Sequence, residues 1–297
     1  MKSRRKRLEQ KLGTAAFVWA QKWLFRKDAL QSERIGEKLG RLAFRLSKKH
    51  RLRALSNLEL AMPELTPAER TDLALRTFEH FGRVAADFVR TPIRTPEDFS
   101  EIEVFGREHL DQLVSQNQGA ILITGHFGNW ERACQWYGRN DYKLSVVVRD
   151  ANDDKLNDMV LLLRKDAGVG VISRGSAARQ ILSTLKRNEF IGILPDQNSD
   201  EIYVPFFGKP CGTVQGPAVL SERARCPVVP MYCVRIGANK YRIRIGPPLK
   251  HEPGYEGTPE GITRAINSYL EAAIREYPEQ WLWFHDRWKS ARRKGLL

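Results

Sequence analysis

A chain of 297 residues is long enough for one large α/β domain, or for a domain with a helical attachment. With 42% hydrophobic and 28% charged residues it has the composition of a folded protein, which argues against disorder. The four cysteines (Cys134, Cys211, Cys226, Cys233) have no metal-site spacing and form no dense framework, so a reduced, cytosol-facing protein is expected.

The net charge is +14 and unevenly placed: residues 1–53 hold 17 Lys/Arg against 4 Asp/Glu, while the other 244 residues hold 32 against 31. Such a block acts on polyanions, either nucleic acid or an anionic lipid surface. No nucleic-acid-binding motif is recognisable, so no nucleic acid is expected and an anionic membrane surface is.

Within the block, Leu12, Ala16, Trp19 and Trp23 share one narrow helical stripe, flanked by Lys11, Lys22, Arg26 and Lys27. Ile35, Leu39, Leu42 and Leu46 form a second stripe at the same spacing. Cationic helices with a Trp/Leu face match interfacial membrane binding. The expectation is that the second stripe packs on the body of the protein and that the first is shared between protein and lipid. The uncharged run over residues 12–21 is far short of the roughly 20 apolar residues that span a bilayer. No signal-peptide pattern is evident, so the chain is expected to lie on a membrane rather than through it.

From Leu55 to about Arg90 the pattern stays helical, with a fresh start at Thr66: a threonine cap, Pro67 in the first turn and Glu69 completing a capping box. The two prolines of TPIRTPEDF (91–99) mark the best internal boundary, separating an N-terminal helical, basic membrane-associating region (1–92) from an α/β domain (93–297). Beyond it, short β-branched runs alternate with helical patterns: 101–105, 119–124, 143–149, 169–173, 189–195, 227–235 and 240–246. This alternation predicts a mixed central sheet covered by helices on both faces, with the last two runs joined as an antiparallel hairpin.

GHFGNWE (125–131) follows the buried run GAILIT, and Asn129 stands where a helix cap belongs. His126 is thus predicted in the turn at the carboxyl end of a strand, beside a helix N-terminus, where open α/β sheets collect ligands. Gly125 and Gly128 permit a turn that would bring Glu131 back to the imidazole, fixing its tautomer and leaving the other nitrogen as a general base. On spacing alone, the pair is equally compatible with an ordinary turn histidine and a surface glutamate. No serine or cysteine stands where a protein nucleophile is expected, so a base here would activate a hydroxyl of the substrate.

GHFGNWE also resembles the histidine–four residues–glutamate motif of the lysophospholipid acyltransferase superfamily, in the branch of bacterial lipid A biosynthesis acyltransferases. Three further blocks carry the resemblance: VVVRDANDDKLNDMVLLLRKDAG (146–168), LPDQN with VPFFGKPCGT (194–213), and PEQWLWFHDRWK (278–289). It runs from about Asn57 to Lys289 and departs at the front, where a membrane-spanning helix frequent in the family gives way to the basic amphipathic region.

The resemblance implies transfer of a fatty acyl group from an acyl carrier protein or coenzyme A thioester to a hydroxyl of a glycolipid acceptor. The setting would be the cytoplasmic face of the inner membrane, with no metal or redox cofactor. His126 would be the base and Glu131 the group holding it, while Arg164 and Asp196 shape the polar end of the site; an ion pair between these two is one arrangement this implies. Asn129, Arg149, Gln197, Phe206, Phe207 and Gly208 would meet substrate, the aromatic pair as an apolar slot, although Phe206 and Phe207 suit a core equally well. Trp281, Trp283 and Trp288 are read as structural. Other outcomes are a phospholipid or phosphatidylinositol mannoside acceptor, and a catalytically silent membrane-binding protein of the same fold.

Overall fold

The computed structural model describes residues 21–148, 164–165, 167–173 and 177–297. Its strands are β1 (Glu103–Phe105), β2 (Ala120–Ile123), β3 (Leu144–Val148), β4 (Gly170–Ser173), β5 (Phe190–Ile193), β6 (Ile202–Phe206), β7 (Lys209–Thr213), β8 (Val228–Gly237) and β9 (Lys240–Ile245). Its helices are α1 (Ala29–Leu46), α2 (Lys48–Ala61), α3 (Pro67–Val89), α4 (Glu97–Ser100), α5 (Arg107–Ser115), α6 (Trp130–Arg139), α7 (Ala177–Lys186), α8 (Gly216–Ala224), α9 (Pro259–Glu276) and α10 (Lys289–Arg293).

Seven strands form one sheet in the order β1–β9–β8–β2–β5–β3–β4. Neighbours run parallel except β8 and β9, the expected hairpin. All seven arise from the β-branched runs of the sequence. Strand β2 is buried at every position, as a strand covered on both faces must be. Alternate β2 residues feed two cores. Ile121 and Ile123 join Leu58 of α2, Phe78 of α3, Ile266 of α9 and the 281–288 tryptophans. Ala120 and Leu122 join Leu110 of α5 and Trp136 of α6. The helices before the boundary at residues 91–99 therefore share the core of the sheet.

The ribbon β6–β7 stands apart from the main sheet. Its two-residue turn places Phe207 at φ 52° and Gly208 at φ 66°, the double positive φ that matches the twist of a tight hairpin.

Helix α3 begins as expected, with Thr66 and Glu69 forming a reciprocal capping box and Pro67 in the first turn. Helix α1 differs from its expectation. It packs on α3 through its small residues rather than its leucines: a Cβ on Gly36 would lie 2.3 Å from the Gly82 carbonyl oxygen, and one on Gly40 2.1 Å from that of Phe78. Backbones this close leave no room for the second stripe between the helices. Leu39, Leu42 and Leu46 instead remain 58%, 47% and 74% exposed. Of the first stripe only Trp23 lies among the described residues, and it is partly exposed.

No described helix is long and apolar enough to cross a membrane.

Candidate active site

Strands β2 and β5 are parallel neighbours, with Ile123 opposite Ile193. Each chain then runs three residues past its strand, to His126 in one case and Asp196 in the other, so the two side chains arrive together at the carboxyl edge of the sheet. His126 Nδ1 lies 2.8 Å from Asp196 Oδ1. The His126 backbone N–H donates to Oδ2 at 2.7 Å, and Trp281 Nε1 donates to the same oxygen at 3.0 Å. Gly125 permits this approach, because a Cβ there would sit 3.0 Å from Asp196 Oδ2.

Burial alone would push the Asp196 carboxyl up, but the imidazole and the two N–H donors beside it bring it down to about 2. Burial pushes His126 the other way, and the Asp196 charge more than offsets it, so its pKa is raised. An ionised carboxylate only accepts, so the neutral imidazole carries its proton on Nδ1 and leaves Nε2 as the basic atom. Gln197 Nε2 stands 3.4 Å from that atom, and the His126 side chain is 23% exposed.

Glu131 does not hold the imidazole, and Arg164 does not pair with Asp196. The two acids have exchanged the partners expected of them. Arg164 Nη2 lies 2.5 Å from Glu131 Oε1 and Nε lies 3.2 Å from Oε2, with Trp130 Nε1 adding a third bond to Oε1 at 3.0 Å. The reason lies in the turn. The His126 and Gly128 backbone is pinned to the C-terminal segment through Leu282 N to His126 O and Gly128 N to Gln280 O. Gly128, at φ 60°, then turns the chain into α6, whose first turn presents Glu131 to Arg164 rather than to the imidazole. Both members of the ion pair are largely buried, at 18% and 8% side-chain exposure. Burial disfavours the Arg164 charge, and its bond to Glu131 more than restores it.

Asn129, expected to meet substrate, is fully buried. Its Oδ1 caps α6 by accepting from Arg132 N at 3.0 Å, and its Nδ2 donates to Asp87 Oδ2 at 2.6 Å. Phe206 and Phe207 are also buried, stacked among Trp281, Trp283 and Trp288, so the apolar slot expected there is filled by the protein's own rings. Gly208 is exposed at the tip of the ribbon. Gln197 stays beside the imidazole, whereas Arg149 lies outside the described residues.

Helix α3 supplies two groups that the sequence reading did not single out. His80, pushed down to about 4 by burial and hence neutral, bonds the Gly128 carbonyl at 3.0 Å. Asp87 accepts from Asn129 on Oδ2 and pairs with both Arg132 and Arg94 through Oδ1. Burial raises its carboxyl, but the two guanidinium groups hold it below its usual range. The seven-residue spacing of His80 and Asp87 puts both on one helix face, a signal that was present in the sequence. Arg287, within the 278–289 block, is fully buried and clamps the carbonyls of Gln197 and Gly212.

The fold is an α/β scaffold with an acid–imidazole pair at the carboxyl edge of its central strands, the edge where such sheets bind ligands. The family model described as bacterial lipid A biosynthesis acyltransferase matches residues 15–290. The chain belongs to that family, and it is an acyltransferase. It is 26% identical over 266 residues to a lipid A biosynthesis lauroyltransferase of Escherichia coli K12, covering 86% of this chain and 85% of that one. It is 24% identical over 251 residues to the lipid A biosynthesis myristoyltransferase of the same organism, covering 83% and 77%. A phosphatidylinositol mannoside acyltransferase of Mycobacterium tuberculosis H37Rv is 24% identical over 225 residues, covering 73% and 70%.

Proposed function

We propose that the protein transfers a fatty acyl chain from a thioester, carried by an acyl carrier protein or coenzyme A, to a hydroxyl of a lipid A precursor, with His126 as general base. The observation that carries this reading is the His126–Asp196 pair, which leaves Nε2 basic on a partly exposed ring. Among the described residues the imidazole bonds Asp196 and Gln197 and no serine or cysteine, so the acceptor hydroxyl itself is the nucleophile.

In the reaction, Nε2 takes the proton of the hydroxyl as its oxygen bonds the thioester carbonyl carbon. Collapse of the tetrahedral species breaks the carbon–sulfur bond, and the imidazolium returns the proton to the departing thiolate. Asp196 stabilises the imidazolium without taking its proton. Arg164, oriented by Glu131, presents positive charge to the carbonyl oxygen or to phosphate. Gln197, beside Nε2, positions the hydroxyl. Arg149 belongs to the same proposal as a phosphate-neutralising group.

The same proposal puts the protein on the cytoplasmic face of the inner membrane, held peripherally. Leu39, Leu42 and Leu46 of α1 face outward beside the exposed Arg34, Lys38 and Arg45, an apolar stripe with a cationic flank. The basic block before α1 adds to the attraction for anionic lipid.

The mannoside acyltransferase among the relatives supports a second acceptor, a phosphatidylinositol mannoside, reached by the same chemistry. Mass spectrometry after incubation with a thioester donor and each acceptor tests the reading. One added acyl group on the lipid A precursor is expected. Its absence, or a gain confined to the mannoside, removes the lipid A assignment.

A further inference from the structure

Asp196 Oδ2 accepts from two donors of different origin. One is the His126 backbone N–H at 2.7 Å, and the other is the Trp281 indole N–H at 3.0 Å, which arrives from 85 positions further along the chain. Residues 280–282 run beside the turn that bears the imidazole. Gln280 O accepts from Gly128 N, Leu282 N donates to His126 O, and Phe127 and Trp281 pair as an antiparallel bridge. The backbone carrying the indole is thus registered on the backbone carrying His126.

The ring is held as firmly as its backbone. Trp281 is fully buried, and Trp283, Phe206 and Trp288 stand 4.7, 5.5 and 6.3 Å from it between centroids. Phe206 belongs to the β6–β7 ribbon, and Arg287 lies over its face while bonding the carbonyls of Gln197 and Gly212. One guanidinium therefore ties the ring stack to the residue that follows Asp196. A tryptophan buried for packing alone needs only some acceptor for its N–H, and Trp283 uses the Pro278 carbonyl at 2.7 Å. Trp281 uses the carboxylate that holds the imidazole.

The two oxygens of a carboxylate share one charge, so a donor at Oδ2 weakens the pull that Oδ1 exerts on the ring. The other charges around the pair come from other elements. Glu131 on α6 and Arg164 both face His126, but they are paired with each other at 2.5 Å and largely cancel. His285 faces both members of the pair; burial lowers its pKa, and its Nε2 accepts the Asn198 N–H at 3.1 Å. Among the described residues, the indole is the one side chain besides His126 that bonds Asp196.

We infer that Trp281 is a positioning residue of the reaction: its N–H, fixed by the ring stack, keeps Oδ1 on the imidazole and limits how tightly that imidazole holds a second proton. The inference rests on the reading of His126 as base and adds a control on the strength of that base. A base works best when its pKa lies near the operating pH, and an unmoderated carboxylate would keep His126 protonated over more of that range. The aromatic residues of the ribbon, which leave substrate no slot, thereby act on the chemistry through Trp281.

The test replaces Trp281 in the full-length protein in two ways. Trp281→Phe removes the donor, and benzothienylalanine at the same position keeps the double ring with sulfur in place of the N–H, so it decides the matter if the smaller ring fails to fold. The acid limb of kcat/KM for a thioester donor is expected to move up by about 0.5 in pH, which is roughly a threefold loss below the limb that vanishes above it. This is the direction opposite to that expected for Asp196→Asn. A limb that stays or moves down, or a loss of equal size at every pH, would overturn the inference and leave Trp281 a packing residue. NMR titration of the His126 ring, assigned by the signal missing from His126→Ala, reads the same change without turnover. If His126→Ala kept wild-type transfer while the ring still titrated higher in the Trp281 variants, the catalytic reading would fail and the control of the imidazole by the indole would stand.

Discussion

His126 Nδ1 and Asp196 Oδ1 meet at 2.8 Å across 70 positions of sequence, because β2 and β5 lie side by side with Ile123 opposite Ile193. The same carboxylate also accepts the His126 backbone N–H and the Trp281 indole. The imidazole is thereby fixed in position, tautomer and charge by one buried acid, and the sheet register, rather than the local turn, delivers that acid. Four consequences can be measured.

The first concerns activity against pH. A base at His126 must be unprotonated to act, and Asp196 raises the imidazole above its ordinary value of 6.5. The acid limb of kcat/KM is therefore expected above pH 6.5 and should move to lower pH in Asp196→Asn, which removes the charge and keeps the shape. An acid limb that stays in place in that variant would detach the imidazole from Asp196.

The second concerns stability against pH. Asp196 falls from 3.8 unfolded to about 2 folded, so its contribution is present above pH 3.8 and is lost as pH drops through about 2. His126 is raised on folding, so its contribution is complete below pH 6.5 and fades as pH rises through its folded value. The coupled pair is thus at full strength between these limits, worth on the order of 2 kcal/mol. Urea unfolding across pH should show this plateau in the wild type and a flatter profile in His126→Ala.

The third concerns Glu131 and Arg164. Removing one member of a buried ion pair strands the other, so Glu131→Ala is expected to cost about 3–5 kcal/mol. The double change Glu131→Gln with Arg164→Gln should cost clearly less than the sum of its parts. Additive losses in urea midpoints would show that the two do not act as a pair.

The fourth concerns α1. Leu39, Leu42 and Leu46 are exposed, so changing all three to serine should move stability by no more than about 0.5 kcal/mol per site. The same variant should bind anionic vesicles more weakly. Gly36→Leu, by contrast, would drive a side chain into the Gly82 carbonyl and is expected to unfold the helix pair. Undiminished vesicle binding by the triple serine variant would remove this face from the membrane.

Much of the scaffold is legible in the sequence because it rests on local rules. The seven sheet strands follow from β-branched runs, α3 from the Thr66–Glu69 box, and the α6 cap from Asn129. What escapes depends on neighbours far along the chain. Spacing shows that Glu131 is near His126 in sequence, but only the pairing of β2 with β5 shows that Asp196 is nearer in space. Pro205 and Pro210 interrupt the pattern of β6 and β7, so no strand is read there and the ribbon enters only through the apolar slot that the resemblance implies. The leucines of α1 look like a packing face until Gly36, Gly40 and Gly82 are seen to bring two backbones together.

The most direct measurement is the rate of acyl transfer from a thioester donor by the purified His126→Ala, Asp196→Asn and doubly substituted proteins. His126→Ala is expected to lose about 10²–10⁴-fold while remaining folded, and the double variant to be no slower than His126→Ala alone, because the acid acts only through the imidazole. Wild-type turnover by His126→Ala, or losses that multiply in the double variant, would contradict the paired base.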